Sequence, residues 1–185
     1  MNARGFTLFH VIAATLFFSV VLSTGFPFLY SYMQLTRLHG ASSAMTRALV
    51  DARINAVEHA RPVVLCSSQD GLNCDGIGHW EKGFIAFIDD DMNGRRNNSE
   101  YPHFVQTPLN NGATIRSEFP ESHKVVYLPS GRVQSTDKFN VCINGIPSTG
   151  RSIDINITGR PQPRKGANHC PGDDTTHYSP LVAQQ

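Results

Sequence analysis

The chain has 185 residues, with 16 Lys and Arg against 15 Asp and Glu and a formal net charge of +1 at pH 7. This length suits one domain with an accessory segment. The balanced charge argues against a protein that binds nucleic acid through its overall charge and against an acidic tail. The sequence has no HExxH, GxSxG, P-loop or CxxC motif and no recognisable nucleophile–base pair. The motifs therefore favour a function other than catalysis.

The N-terminal segment is strongly apolar. Between residues 6 and 26 the only ionisable side chain is His10, and a helix of this length spans about 30 Å, enough for a bilayer core. Three interpretations compete: a cleaved secretory signal, a plain single-pass anchor and a type IV prepilin signal. A secretory signal has a shorter apolar region of about 7–15 residues. Arg4, on the cytoplasmic flank, agrees with the positive-inside rule.

The prepilin interpretation explains the most details. The stretch RGFTL at residues 4–8 resembles the site cut by prepilin peptidase. The resemblance implies cleavage between Gly5 and Phe6 on the cytoplasmic side and methylation of the new Phe6 amine. Pro27 follows at the place where many pilins carry a helix-kinking proline, which removes one helical hydrogen bond. Residues 1–5 are then the leader, and residues 6–30 a transmembrane and filament-core helix.

One position departs from the pilin pattern. Pilins usually carry Glu as the fifth residue of the mature chain, where the carboxylate pairs with the N-terminal amine of a neighbouring subunit; here that residue is His10. A buried carboxylate needs such a cationic partner, and an imidazole supplies no negative charge. His10 indicates either a subunit at a special position, such as the filament tip, or a tolerated substitution in a scarce subunit.

After residue 30 the pattern becomes amphipathic. Five apolar residues recur at helical spacing and predict a buried stripe: Leu38, Met45, Leu49, Ala52 and Ala56. The anchor helix is therefore predicted to continue over residues 31–61, with its C-terminal half packed on a head.

Seven short segments rich in Val, Ile, Phe and Thr follow, separated by Gly, Pro, Asn and Asp. The predicted strands are 63–67, 83–88, 103–106, 114–119, 124–128, 139–143 and 152–157. One long, partly transmembrane helix packed on a small antiparallel β-sheet head predicts an α+β fold. The head covers residues 62–160, and residues 161–185 form a polar tail. Trp80 is expected to be a core anchor.

Four cysteines, an even number in an exported chain, favour two disulfides. Three pairings are possible. We prefer Cys66–Cys74 and Cys142–Cys170, because each closes a loop inside one half of the head.

In their order along the chain, several weak motifs resemble the GspH/FimT group of minor type IV pilins and type II secretion pseudopilins. They are ALVDARINAVEHARPVVLCS at 48–67, WEKGF at 80–84, VYLPSG at 126–131, FNVC at 139–142 and TGR at 158–160. The resemblance implies a type IV pilin-like fold and a non-enzymatic subunit that helps assemble, prime or cap a pilus or pseudopilus. The implied partners are other pilin subunits, prepilin peptidase and the inner membrane. The implied location is the bacterial inner membrane, single pass, with a periplasmic head.

Residues 89–100 match the spacing of a calcium-binding EF-hand loop through Asp89, Asp91, Asn93 and Glu100. An EF-hand needs a helix on each side of the loop, whereas both flanking segments are predicted strands. Arg96 stands at the usually aliphatic eighth position. We therefore predict a strand-connecting turn and no cofactor, and keep calcium binding as the minority interpretation.

Arg160, Arg164 and Lys165 form the densest basic stretch. Some members of the resembled group bind DNA through a Gly-Arg-x-Arg stretch near this place, but here the sequence GRPQPR does not match that spacing. A solvated loop is the preferred interpretation. The alternative function is a DNA-binding minor pilin in natural DNA uptake, with non-specific phosphate contacts.

Overall fold

The computed structural model describes residues 8–109, 111–119, 123–143 and 149–170, with only the backbone described at residues 23–28. The described elements are one long helix, α1 (Leu8–Glu58), a single 3-10 turn (Trp80–Lys82) and eight strands. The strands are β1 (Val63–Ser67), β2 (Phe84–Ile88), β3 (Pro102–Gln106), β4 (Ala113–Ser117), β5 (Lys124–Tyr127), β6 (Asp137–Ile143), β7 (Arg151–Ile155) and β8 (Pro161–Lys165).

The chain divides into two compact units, Met1–Thr36 and Arg37–Gln185. Helix α1 contributes residues 8–36 to the first unit and residues 37–58 to the second. In the second unit, the five residues of the predicted stripe are each at most 4% exposed, and Ala41, Ala44 and Ala48 are buried beside them. The small alanines let the helix approach the sheets closely, and the predicted stripe is confirmed.

The strands form two four-stranded antiparallel sheets. The first has the order β3-β2-β1-β5, and the second has the order β4-β6-β7-β8. Side chains from the inner faces of both sheets share one core with α1, including Leu65, Phe84, Phe139 and Ile153. Trp80 lies fully buried in this core with its ring centroid 5.0 Å from that of Phe139, edge to face. Its predicted role as a core anchor is confirmed.

The first sheet is covered on both faces. Because side chains alternate along a strand, Val64 and Cys66 on β1 and Ile85 and Phe87 on β2 lie on the face away from α1. They form a second small cluster with Cys74 and Val126. The loop that carries Cys74 therefore packs against the outer face of this sheet.

Strand β8 corrects the predicted tail boundary. Residues 161–165, PQPRK, were expected to be part of a polar tail, but they pair with β7, with Pro161 opposite Ile155 and Pro163 opposite Ile153. The N–H of Gly166 donates to Gly150 O at 2.9 Å, so alternate residues of β8 direct their N–H groups toward β7 and the two prolines fall on the outward side. Proline is tolerated at such an edge. Residues 171–185 lie outside the described residues.

Both predicted disulfides are present. Cys66–Cys74 joins β1 to the loop that follows it, with a Cα–Cα distance of 5.6 Å. Cys142–Cys170 joins β6 to the segment after β8, with a Cα–Cα distance of 5.9 Å. The second bond fixes the chain beyond the last strand to the middle of the second sheet.

Candidate functional site

In the first unit, α1 exposes an apolar surface over residues 8–22. Phe9 is 76% exposed, Phe17 68% and Leu22 64%, and the other large apolar side chains of this segment are also exposed. They occur on all sides of the helix, since consecutive residues such as Phe17 and Phe18 are both exposed. A helix that is apolar all round is typical of one buried by other elements.

Of the predicted N-terminal sites, only His10 is described with its side chain. It lies in α1 and is exposed, with its ring edge to face with that of Phe9 at 6.4 Å. Gly5 and Phe6 lie outside the described residues, as does the side chain of Pro27. Processing, methylation and the predicted kink remain predictions. In the described part of the chain, no helix is both long and apolar enough to cross a membrane. The membrane span predicted over residues 6–30 is therefore not confirmed.

The loop with calcium-loop spacing connects β2 to β3. Donor oxygens of Asp89, Asp91 and Glu100 lie within 4.8 Å of one another. Asp89 and Glu100 are buried, whereas Asp91 is exposed. Burial raises the pKa of the Asp89 carboxyl, opposed chiefly by the backbone N–H of Gly94. The structure thus brings together three of the four predicted ligands as a compact carboxylate cluster.

Backbone N–H groups of the loop donate to these carboxylates. Asn93 and Gly94 donate to the two oxygens of Asp89 at 3.2 and 2.8 Å. Asp90 and Asn97 donate to the two oxygens of Glu100 at 2.9 and 2.8 Å. Asn93, the fourth predicted ligand, uses its amide Nδ2 to donate to Asp91 Oδ2 at 2.7 Å.

These bonds fit the predicted strand-connecting turn. The carboxylates close the loop by accepting its N–H groups, and Gly94 has a φ of +70°. Both flanking elements are strands, so the helix pair of an EF-hand is not formed around this loop. Lys124 Nζ donates to the Gly94 carbonyl at 2.8 Å, which places a positive charge on an oxygen of the loop. Calcium binding by this cluster remains a prediction.

The three basic residues predicted to contact DNA do not form one patch. Arg164 and Lys165 are consecutive on β8 and therefore face opposite sides of the second sheet. Arg164 Nε lies 2.7 Å from Asp154 Oδ2, which offsets its charge. Arg160 is exposed in the turn before the strand.

The first sheet also carries a basic pocket that was not predicted from the sequence. Arg95, Arg96, His123 and Lys124 line a cavity of about 370 Å³ beside the Cys66–Cys74 disulfide. The adjacent arginines were visible in the sequence, but Lys124 comes from β5, far along the chain. Only the pairing of β5 with β1 brings them together.

A helix with an exposed apolar N-terminal part and a C-terminal part packed on antiparallel sheets defines the type IV pilin-like class. Residues 41–159, more than half of the chain, match the family model of the type II transport protein GspH. The chain belongs to this GspH family of minor pilins and pseudopilins, as its motifs predict.

Two solved structures of a minor pilin show the same fold. The type IV minor pilin FimU of Pseudomonas aeruginosa is 19% identical, with a TM-score of 0.62 over 75% of this chain and 98% of that one. A second crystal form of FimU gives 20% identity and a TM-score of 0.59, over 72% and 99%. The minor pseudopilin EpsH of Vibrio cholerae is 13% identical, with a TM-score of 0.47 over 74% and 99%. No curated protein sequence matches the chain.

Proposed function

We propose that this chain is a minor subunit that helps assemble, prime or cap a type IV pilus or a type II secretion pseudopilus. Its membership of the GspH family supports this class of function. The observation that carries the proposal is the exposed apolar surface of α1 over residues 8–22. Helices of neighbouring subunits would cover this surface in the filament.

The energetics favour such packing. Burying one Leu or Phe side chain stabilises an association by about 1.5–3 kcal/mol, and residues 8–22 include Leu8, Phe9, Leu16, Phe17, Phe18 and Leu22 among their exposed side chains. Only part of this energy appears as affinity, because association costs translational and rotational freedom. The two disulfides of the second unit suit an oxidising compartment such as the periplasm. This function is assembly and requires no catalytic group.

Mass spectrometry of the mature N-terminus in the native host tests the proposal. We expect the chain to begin at a methylated Phe6 after cleavage by prepilin peptidase, and to be recovered in the sheared filament fraction. Gly5→Leu should block cleavage, whereas Ala3→Leu, two residues further from the cut, should leave it intact. A chain that keeps Met1 and stays out of filaments would overturn the proposal.

His10→Glu separates the two interpretations of His10. Changed incorporation or placement in the filament, followed by immunogold labelling, supports a special position for this subunit. Unchanged incorporation and placement support a tolerated substitution.

DNA uptake is the weaker alternative, because Arg164 and Lys165 face opposite sides of the sheet and Arg164 is paired with Asp154. Non-specific binding of DNA rises steeply as salt falls. We therefore expect no gel shift by the full chain even at low salt. A shift that disappears with rising salt and is lost in Arg160→Gln would favour the DNA-binding function.

A further inference from the structure

The basic pocket, lined by Arg95, Arg96, His123 and Lys124, is built from three separate segments. The loop after β2 supplies the two arginines, the start of β5 supplies Lys124, and the loop closed by the Cys66–Cys74 disulfide forms a third wall. The disulfide thus fixes one wall of the pocket to strand β1.

Specific contacts hold the basic side chains at the pocket wall. Arg96 Nη1 donates to Asn73 Oδ1 at 3.3 Å, next to Cys74. Lys124 Nζ donates to Gly94 O at 2.8 Å. A Cβ on Gly94 would overlap Lys124 Nζ, and the φ of +70° there also favours glycine. Gly94 therefore lets Lys124 lie against the arginine loop.

One atom of each of two charged groups at the pocket wall lacks a hydrogen-bond partner among the described residues. The Nε of Arg96 and the Oδ2 of Asp75 are both buried without a partner. Buried polar groups are rarely left unpaired, and ionised ones cost the most. The described lining carries three permanent positive charges, from Arg95, Arg96 and Lys124, against one acidic side chain, Asp75. The unpaired Nε of Arg96 and the excess of positive charge favour an anionic ligand, whereas the unpaired Oδ2 of Asp75 calls for a hydrogen-bond donor.

We propose that the basic pocket binds a side-chain carboxylate on an acidic segment of a neighbouring filament subunit. The site itself follows from the pocket, and only the source of the carboxylate rests on the proposed function. The fork of N–H donors on an arginine matches a carboxylate.

The surroundings of the pocket select a short acidic segment over nucleic acid. A nucleic-acid backbone needs a basic path that follows many phosphates. Here the four basic residues of the pocket line a single cavity, and the loops that form its walls also carry Asp70 and Asp91. The backbone N–H groups of Asn73 and Leu72 hold the pKa of Asp70 well below its usual range, so this residue stays negative. A polyanion running past the pocket would meet these charges.

Fluorescence anisotropy with the full chain tests the site. The probes are a labelled tetraglutamate peptide and a matched tetraglutamine peptide. We expect the chain to bind tetraglutamate in preference to tetraglutamine. Arg96→Gln and Lys124→Gln should each weaken binding about tenfold, as expected for losing a charge-assisted hydrogen bond. Arg164→Gln removes the same charge outside the pocket and should leave the affinity unchanged.

Three results would overturn the carboxylate site. The first is that the chain binds both peptides equally or binds neither, and the second is that all three variants lose affinity for tetraglutamate equally. The third is that a short oligothymidylate binds more tightly and displaces tetraglutamate. The last would make nucleic acid the ligand. Unfolding followed by the fluorescence of Trp80 checks that each variant is folded, and Arg95→Gln, at an exposed residue, replaces any variant that is not.

Carbodiimide coupling in isolated filaments tests the source of the carboxylate. The reagent activates a carboxylate, and the amine of Lys124 then forms an amide bond as the urea leaves. Mass spectrometry should identify Lys124 joined to an acidic residue of another subunit. Lys138 Nζ lies 3.2 Å from Glu118 Oε2, so their link within the chain is the internal control.

If the control link forms in filaments but Lys124 joins no other subunit, the neighbouring-subunit assignment is wrong. Absence of the chain from filaments instead contradicts the proposed function and leaves the peptide-binding result to decide the pocket.

Discussion

The two parts of helix α1 differ in how their apolar side chains are arranged and exposed. In residues 38–56, the apolar side chains that recur at every third or fourth position form a buried stripe, as at Met45 and Leu49, while Val50 and Ile54 off the stripe are exposed. In residues 8–22, they occupy nearly every position and are exposed, as at Leu16 and Phe17. A periodic stripe indicates packing within the chain, whereas an apolar surface on all sides indicates packing against other molecules.

The same substitution in the two parts of α1 should have opposite consequences. Leu49→Ala leaves a cavity in the core and should lower the free energy of unfolding by about 3 kcal/mol. Leu16→Ala, at a residue that is 63% exposed, should change it by less than about 0.5 kcal/mol but reduce incorporation into filaments. Denaturant unfolding followed by the fluorescence of Trp80 measures the first effect.

Filament fractionation in the native host measures the second effect. Equal destabilisation by the two substitutions would remove the contrast between the two parts of the helix. So would full incorporation of a triple variant, Leu16→Ala with Phe17→Ala and Phe18→Ala.

Much of the second unit was predictable because its signals are local. The buried stripe, the position of Trp80 and seven strands follow from periodicity and composition. Strand β8 was not predictable in this way, because Pro161 and Pro163 argue against a strand. They are tolerated only because β8 is an edge strand whose prolines face outward, and that position depends on tertiary pairing.

The candidate sites also divide into those that local sequence signals predict and those that only the fold brings together. The turn at residues 89–100 was predictable because Asp, Asn and Gly have local backbone preferences. The basic pocket was not, because Lys124 joins Arg95 and Arg96 only after β5 pairs with β1. The charges of Arg160, Arg164 and Lys165 are adjacent in sequence, yet strand alternation separates Arg164 from Lys165.

The carbonyl oxygen of Gly131 lies against both the C-terminal part of α1 and the turn before β8. Arg53 Nε donates to Gly131 O at 3.0 Å, and a Cβ on Gly159 would overlap that same oxygen. Gly159→Ala should therefore lower the free energy of unfolding by about 2–3 kcal/mol. Gly166→Ala is the control: its φ of +84° is also positive, but nothing lies within 4 Å of the new Cβ, so about 1 kcal/mol is expected.

Similar losses in Gly159→Ala and Gly166→Ala would show that backbone strain dominates and that the close approach of Gly159 to Gly131 adds nothing. Neither substitution touches residues 8–22. Each chain that remains folded should therefore enter filaments normally.

The stability of the second unit should depend on pH through Asp137. Burial raises the pKa of its carboxyl to about 6, opposed by hydrogen bonds, first of all from Ser117. Because the folded chain then holds this proton more tightly than the unfolded chain, stability should fall as pH rises from about 4 to about 6. Asp137→Asn should raise the free energy of unfolding by about 1 kcal/mol at pH 7.5 and change it little at pH 4. Urea unfolding at the two pH values tests this, and an equal effect at both would contradict it.

The smallest effect is expected from calcium. All four carboxylate oxygens of Asp89 and Glu100 already accept hydrogen bonds from backbone N–H groups. The ammonium group of Lys124 donates a hydrogen bond to the carbonyl of Gly94. A bound ion would stabilise the folded chain in proportion to the logarithm of its concentration over Kd. We expect 2 mM calcium to shift the Tm by less than about 1 °C relative to EDTA. A larger rise with calcium that is abolished by Asp91→Asn but retained in Asp70→Asn would establish a metal site and make this loop more than a turn.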